Sequence, residues 1–337
     1  MHDTRATDRF EQILGAIPPA SGAVVMGTAI VSIALSLDRH ETLSRLLLVI
    51  AAAAWVALGL LLAGRALHDR PRVRQEARSP AALTGVAGTA VLGTRLTVLG
   101  WGWAGIALLV IAAALWLVLL TTVLTHWVTP TVGVSLVLTV STESLAVLSA
   151  ALATSEHAAW LLYAALAPFL LGLAFYAFVI VRFDFRQLGV GRGDHWITGG
   201  ALAISTLAAG RITLAATVLH RLGGVSGTLK DVSLGLWALT IAWLPVLLAA
   251  ELLRPRLRYD VRRWSTVFPL GMYAACSFVV GAVATASAIT DFARVWVWVG
   301  AAVWLVVFLA MLRRCLQLAG GEHQPPDAKR LRQPAAS

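Results

Sequence analysis

Charge is what this chain has least of. Of its 337 residues only 13% are charged, two are lysine and two are cysteine, while 58% are hydrophobic. With a mean hydropathy of +0.79, that balance excludes an ordinary soluble domain. The cysteines, Cys276 and Cys315, both fall in apolar runs and supply neither a disulfide framework nor a metal cluster. The lysines, Lys230 and Lys329, lie outside the helix centres, so no Schiff base to a retinal-type chromophore is available. His126, His157, His195 and His220 fall near predicted helix ends, and no two share a helix face at ligand spacing; no metal, haem or other cofactor is expected. An enzyme would need a nucleophile and a base, or a metal cluster, at one depth, and these placements provide neither. The glycines of GVGRGD at 189–194 follow no strand and fit no phosphate-binding fingerprint, so the stretch reads as a turn.

What the chain has instead is apolar length. Runs of about 18 residues or more, each able to cross a hydrocarbon core of roughly 30 Å, recur ten times, near 18–37, 43–64, 81–99, 101–123, 129–151, 158–181, 196–219, 232–253, 264–287 and 293–314. The fold expected is an all-α integral membrane protein with a ten-helix domain over 18–317, an N-terminal arm over 1–17 and a disordered tail over 318–337. The first run follows a mixed-charge arm and lacks a small-residue cleavage pattern, so it reads as a retained helix.

Orientation follows from the basic residues of the loops. If the N-terminus is cytoplasmic, loops on that side carry thirteen arginines, among them Arg70, Arg72, Arg74, Arg262 and Arg263, against six basic residues on the other side, Arg39, Arg45, Arg95, Arg221, Lys230 and Arg294. Both termini then lie inside. The net charge of +10 is accounted for by this topology and by anionic headgroups of the bilayer, not by nucleic acid. Alanine- and arginine-rich usage points to a bacterial plasma membrane.

Separating the helices by number exposes an asymmetry. Windows over the odd helices contain 25 Ser or Thr and 11 Gly; comparable windows over the even ones contain 2 and 5, together with nine of the thirteen tryptophans. A helix without polar atoms can face lipid all round, whereas hydroxyls and glycines belong where helices approach closely or line a cavity. Five hairpins, with odd helices inside and even helices outside, satisfy both. In such a ring Gly27, Thr28, Ser32, Thr89, Thr139 and Ser205 are the expected path-lining residues.

Charges at membrane depth are costly and each needs a reason. Glu143 in TVSTESLAVLS and Arg211 in STLAAGRITL fall in the fifth and seventh helices, neighbours in the proposed ring, at about 18 Å and 22 Å from their starts at 1.5 Å per residue. They can form a structural ion pair, or Arg211 can attract an anion while Glu143 shapes its field or takes a proton.

Two segments carry a family likeness. IPPASGAVVMGTAIVSIAL at 17–35, with Met26, Gly27 and Thr28, and RRWSTVFPLGMYAA at 262–275, with Trp264, Phe268 and Pro269, resemble the tellurite-resistance and C4-dicarboxylate transporter family, which includes the yeast malate permease and plant slow anion channels. The resemblance spans essentially the whole chain. It implies a quasi-fivefold fold, commonly as a trimer, and transport of small anions such as malate or tellurite, or alternatively sulfite, nitrate or chloride. It also implies that Phe268 occludes the path as a gate. Pro269, which lacks an N–H and crowds the preceding turn, then releases the carbonyl of Ser265.

Overall fold

The computed structural model describes residues 18–189, 193, 195–255 and 259–319. The expected arm at 1–17, nearly all of the expected tail and most of GVGRGD lie outside them. The described chain is helical, and ten helical spans, several counted with a leading 3-10 turn, are long and apolar enough to cross a membrane; their α-helices are α1 (Gly22–Leu37), α2 (Glu41–His68), α3 (Thr84–Val98), α4 (Gly102–Thr125), α5 (Val137–Ser155), α6 (Ala159–Ile180), α7 (Trp196–Val218), α8 (Ser226–Leu253), α9 (Trp264–Ala284) and α10 (Ser287–Ala319).

Each odd helix turns into the next even helix by the same device. After its last turn comes a residue with positive φ: Arg39, Gly100, His157, His220 and Thr285 in order. The following N–H then reaches back five residues, His40 to Leu35, Trp101 to Leu96, Ala158 to Ala153, Arg221 to Ala216 and Ala286 to Gly281, at 2.9–3.1 Å. This is the Schellman closure, which satisfies carbonyls a helix end would otherwise leave bare. Only one of the five left-handed residues is glycine, so four accept that conformation at a cost of about 1 kcal/mol each.

At the other end, four odd helices begin with a short 3-10 turn: Pro19–Ser21, Pro80–Leu83, Gly133–Leu136 and Val261–Arg263. Side chains cap two of these. Ser79 Oγ accepts from Ala81 N at 3.3 Å, and Asp260 Oδ1 accepts from Arg262 N at 3.0 Å. The fifth helix starts later than its apolar run implies. Thr131 is tied instead to the end of α6, its N–H donating to Arg182 O at 3.0 Å and its hydroxyl to Val179 O at 2.7 Å. The loop after α2 is not bare either: Arg70–Glu76 is a short helix capped by Asp69.

Packing separates the two sets as composition anticipated. Within the most apolar eighteen residues of each helix, 67–100% are buried in the odd helices and 17–22% in the even ones. Each odd helix packs on its even partner; α1 also packs on α3, α3 on α5, α5 on α7, α7 on α9 and α9 on α1, so the circuit of contacts closes. Leu60, Val110 and Leu170 leave more than half of their surface uncovered on the even helices. In lipid this exposure has no hydrophobic cost.

Arg95, counted with the outer basic residues though inside the third span, is not a loop charge. It lies in the last turn of α3, 1% exposed, with Nε donating to Ser44 Oγ at 2.9 Å and Ser32 Oγ at 3.3 Å, and Nη2 to Glu41 Oε1 at 2.8 Å. One guanidinium thereby joins α1, α2 and α3. Arg65 is likewise buried, paired with Glu76 at 2.6 Å.

Candidate functional site

The five odd helices all start at one end of the molecule, and there they surround a cavity of about 530 Å3. Each contributes: Ala23 and Met26 from α1, Thr84 from α3, Val137 and Val140 from α5, Ile197 from α7, Ser265 and Phe268 from α9. Arg262 and Asp260 stand at its rim. A helix start presents unbonded N–H groups and the positive end of its dipole, so five such starts around one vestibule favour negative charge there.

Phe268 lines this vestibule about one turn into α9 and is 1% exposed. That shallow depth agrees with its position four residues after Trp264. Pro269 follows it within a continuous helix and is received by α7: a Cβ on Gly200 would lie 2.7 Å from Pro269 Cγ. The two sequence segments that carried the family likeness also meet in space. A Cβ on Gly27 would lie 3.1 Å from the Trp264 ring and 3.2 Å from Val267, so Gly27 lets α1 approach α9 where Met26 and Phe268 face the vestibule.

The expected path-lining residues lie outside this vestibule. None of Gly27, Thr28, Ser32, Thr89, Thr139 and Ser205 lines the vestibule. Thr28 accepts from Trp304 Nε1 at 3.0 Å and Thr89 from Trp55 Nε1 at 2.9 Å. Ser32 belongs to the Arg95 cluster, Ser205 donates to Glu143 Oε1 at 3.0 Å, and the buried Thr139 hydroxyl has no hydrogen-bond partner among the described residues.

A rule emerges that composition alone concealed. In four of five seams an even helix donates an indole N–H to a hydroxyl of the next odd helix: Trp55 to Thr89, Trp116 to Thr142, Trp237 to Ser277, and Trp304 to Thr28, at 2.9–3.0 Å. Three of these hydroxyls pass their own proton to a carbonyl four residues back, Thr89 to Gly85, Thr142 to Leu138 and Ser277 to Tyr273. The abundant hydroxyls of the odd helices and the tryptophans of the even ones are thus two halves of one fastening. The signal was present as a repeated context, AAWVAL at 53–58, ALWLVL at 114–119, GLWALT at 235–240 and AVWLVV at 302–307.

The seam between α6 and α7 breaks the rule. Its counterpart context is LLGLAF at 170–175, with Gly172 in place of tryptophan. A Cβ there would lie 2.6 Å from Cγ, Cδ and Oε1 of Glu143, so the carboxyl of α5 fills the space. Glu143 is fully buried, held by Ser205 through one oxygen, while Oε2 has no partner among the described residues.

Glu143 and Arg211 do not form the ion pair that their spacing allowed. Arg211 lies six residues beyond Ser205, about 9 Å further along α7 at 1.5 Å per residue. It is 9% exposed, and its Nε and Nη2 have no hydrogen-bond partner among the described residues. The faces of α7 are assigned by its contacts. Thr206 meets Thr240 of α8, Ser205 meets α5, and Gly200 and Gly210 meet Pro269 and Val279 of α9. Ile197 faces the vestibule. Arg211 comes about 3.9 turns after Ile197 and about 3.1 turns after Gly200 at 3.6 residues per turn, which sets it between the vestibule direction and the contact with α9, about 40° from Ile197.

Residues 16–312 match the family described as SLAC1, voltage-dependent anion channel. The chain belongs to this family. Membership implies anion transport across a membrane, and it sets the chain among transporters and channels rather than enzymes. The chain is also similar to uncharacterized membrane proteins from two strains of Mycobacterium tuberculosis, CDC 1551 / Oshkosh and H37Rv, each 33% identical over 131 residues. These matches cover 37% of this chain and 66% of each relative, slightly under two thirds of the relatives' length. In keeping with the family, the chain is multi-pass, and its polar and charged groups at membrane depth lie mainly on the odd helices.

Proposed function

We propose that small anions pass along the axis enclosed by the odd helices, entering at the vestibule and meeting their constriction at Phe268. The observation that carries this reading is the convergence of five helix starts on one cavity whose inner wall includes that ring. The dipoles concentrate anions without a tight fixed charge, which suits ions that must also leave. Pro269 supports the gate by withholding the N–H that would bond Ser265 O, leaving a carbonyl beside the constriction.

On this reading the lining is Met26, Val140, Ile197, Ser265 and Phe268, with Arg211 further along. Gly27, Thr28, Ser32, Thr89 and Ser205 act behind it by fastening helices, and Thr139 adds an unfastened hydroxyl. Glu143 lies off the axis between α5, α6 and α7, which favours conduction without proton coupling. We place both termini on the cytoplasmic side of a bacterial plasma membrane, with the transport domain over 18–317, short flanking arms, and a homotrimer as the assembly. Malate and tellurite, and as alternatives sulfite, nitrate and chloride, are the anions to compare.

The test is flux and current in proteoliposomes for the native protein and Phe268→Ala, with chloride, nitrate and malate side by side. The variant should raise flux by about tenfold or more, equivalent to removing about 1.4 kcal/mol from a barrier. Unchanged flux in a folded variant would return Phe268 to ordinary packing.

A further inference from the structure

Two arginines lie at membrane depth in the odd helices, and they are in opposite conditions. Arg95 uses its Nε and Nη2 edge completely, against hydroxyl oxygens of Ser32 and Ser44 and the carboxylate of Glu41. Arg211 has the same edge, Nε and Nη2, buried and unpartnered among the described residues, at a position about 40° from Ile197 around α7. A guanidinium without a partner is expensive in such a place. The edge left unpaired is the one that binds two oxygens of a carboxylate or similar group side by side.

We infer that Arg211 is a binding station for a small oxyanion that offers two oxygens to one guanidinium edge, such as nitrate or formate, in preference to a spherical halide. The assignment rests on the transport reading above and adds the class of anion that the path selects. Arg95 supplies the internal precedent, since its identical edge is filled by oxygen acceptors alone. Glu143, the charged side chain of α5, is directed to Gly172 and to Ser205, about 9 Å short of Arg211 along α7, and leaves the edge unpaired. One guanidinium serves one anionic group, so formate should be favoured over malate.

Flux of nitrate, formate and chloride would be measured in proteoliposomes for the native protein, Arg211→Lys and Arg211→Gln. Lysine keeps the charge but loses the fork, so the nitrate-to-chloride ratio should fall by about fivefold or more while chloride still moves. Glutamine should lower nitrate and formate flux by about tenfold or more, and chloride by less. In detergent, nitrate should raise the unfolding temperature of the native protein above that in equal chloride, and this difference should vanish in Arg211→Gln; it reports binding without requiring flux. If the native protein moves anions but Arg211→Lys keeps the native ratio and nitrate protects no better than chloride, the station is wrong and the transport reading stands. If the native protein moves none of the three, both fall.

Discussion

Four seams of this molecule are fastened by an indole on a hydroxyl, and the fifth is filled by a carboxyl against a glycine. The difference separates two ways of closing a helix interface in lipid. An indole brings a large apolar surface and one donor, so it fills the groove and satisfies a lone pair together. A carboxyl from a third helix fills the same groove but leaves an oxygen unsatisfied, as Glu143 Oε2 is. Apolar burial drives neither, because lipid is as apolar as the groove; packing and hydrogen bonds decide. The α5–α6–α7 junction is therefore the seam most open to disturbance.

Gly172→Ala attacks the exceptional seam directly. Its Cβ would meet three atoms of Glu143 at 2.6 Å, and thermal unfolding in detergent should show a loss of about 1–3 kcal/mol, the usual range for overpacking. Adding Glu143→Ala should recover much of it, a coupling that two independent sites would not show. Trp116→Phe and Trp304→Phe test the regular seams. Each should cost about 0.6–1.7 kcal/mol, the span for interhelical hydrogen bonds in a membrane protein; equal costs at both would support a shared fastening, and none at either would reduce the indoles to bulk. The mildest change is Glu143→Gln, which keeps the shape and the acceptor for Ser205. Its effect should fall below the about 1–3 kcal/mol expected of Gly172→Ala, and a larger loss would show that the charge itself matters.

Much of this was legible in the chain. Ten spans and the inner and outer sets follow from apolar length and composition, because lipid forces nearly every backbone group into helices and pushes polarity inward. The destination of the hydroxyls was not legible. Thr28 and Thr89 have the same composition signature whether they line a path or receive an indole, and only the partner helix distinguishes the two. Arg95 was counted with the outer basic residues, although inside the third span, because a window average cannot see Glu41 and Ser44 returning from α2. Glu143 and Arg211 fell at similar depth, but depth along two helices does not fix which way each side chain turns; Ser205 and Gly172 do. The delayed start of α5 was hidden for a related reason, since Thr131–Leu136 is apolar enough to extend a span while its backbone pairs elsewhere.

All five lining helices begin at the vestibule and end at the Schellman turns, so their dipoles add instead of cancelling. The axis therefore has a direction even before any gate moves. On the proposed path anions should accumulate at one mouth and face the negative helix ends at the other, and protein inserted in a single orientation should pass unequal currents at voltages of equal size and opposite sign. In electrical terms that path would act as a diode, its polarity written into the order in which the chain crosses the bilayer.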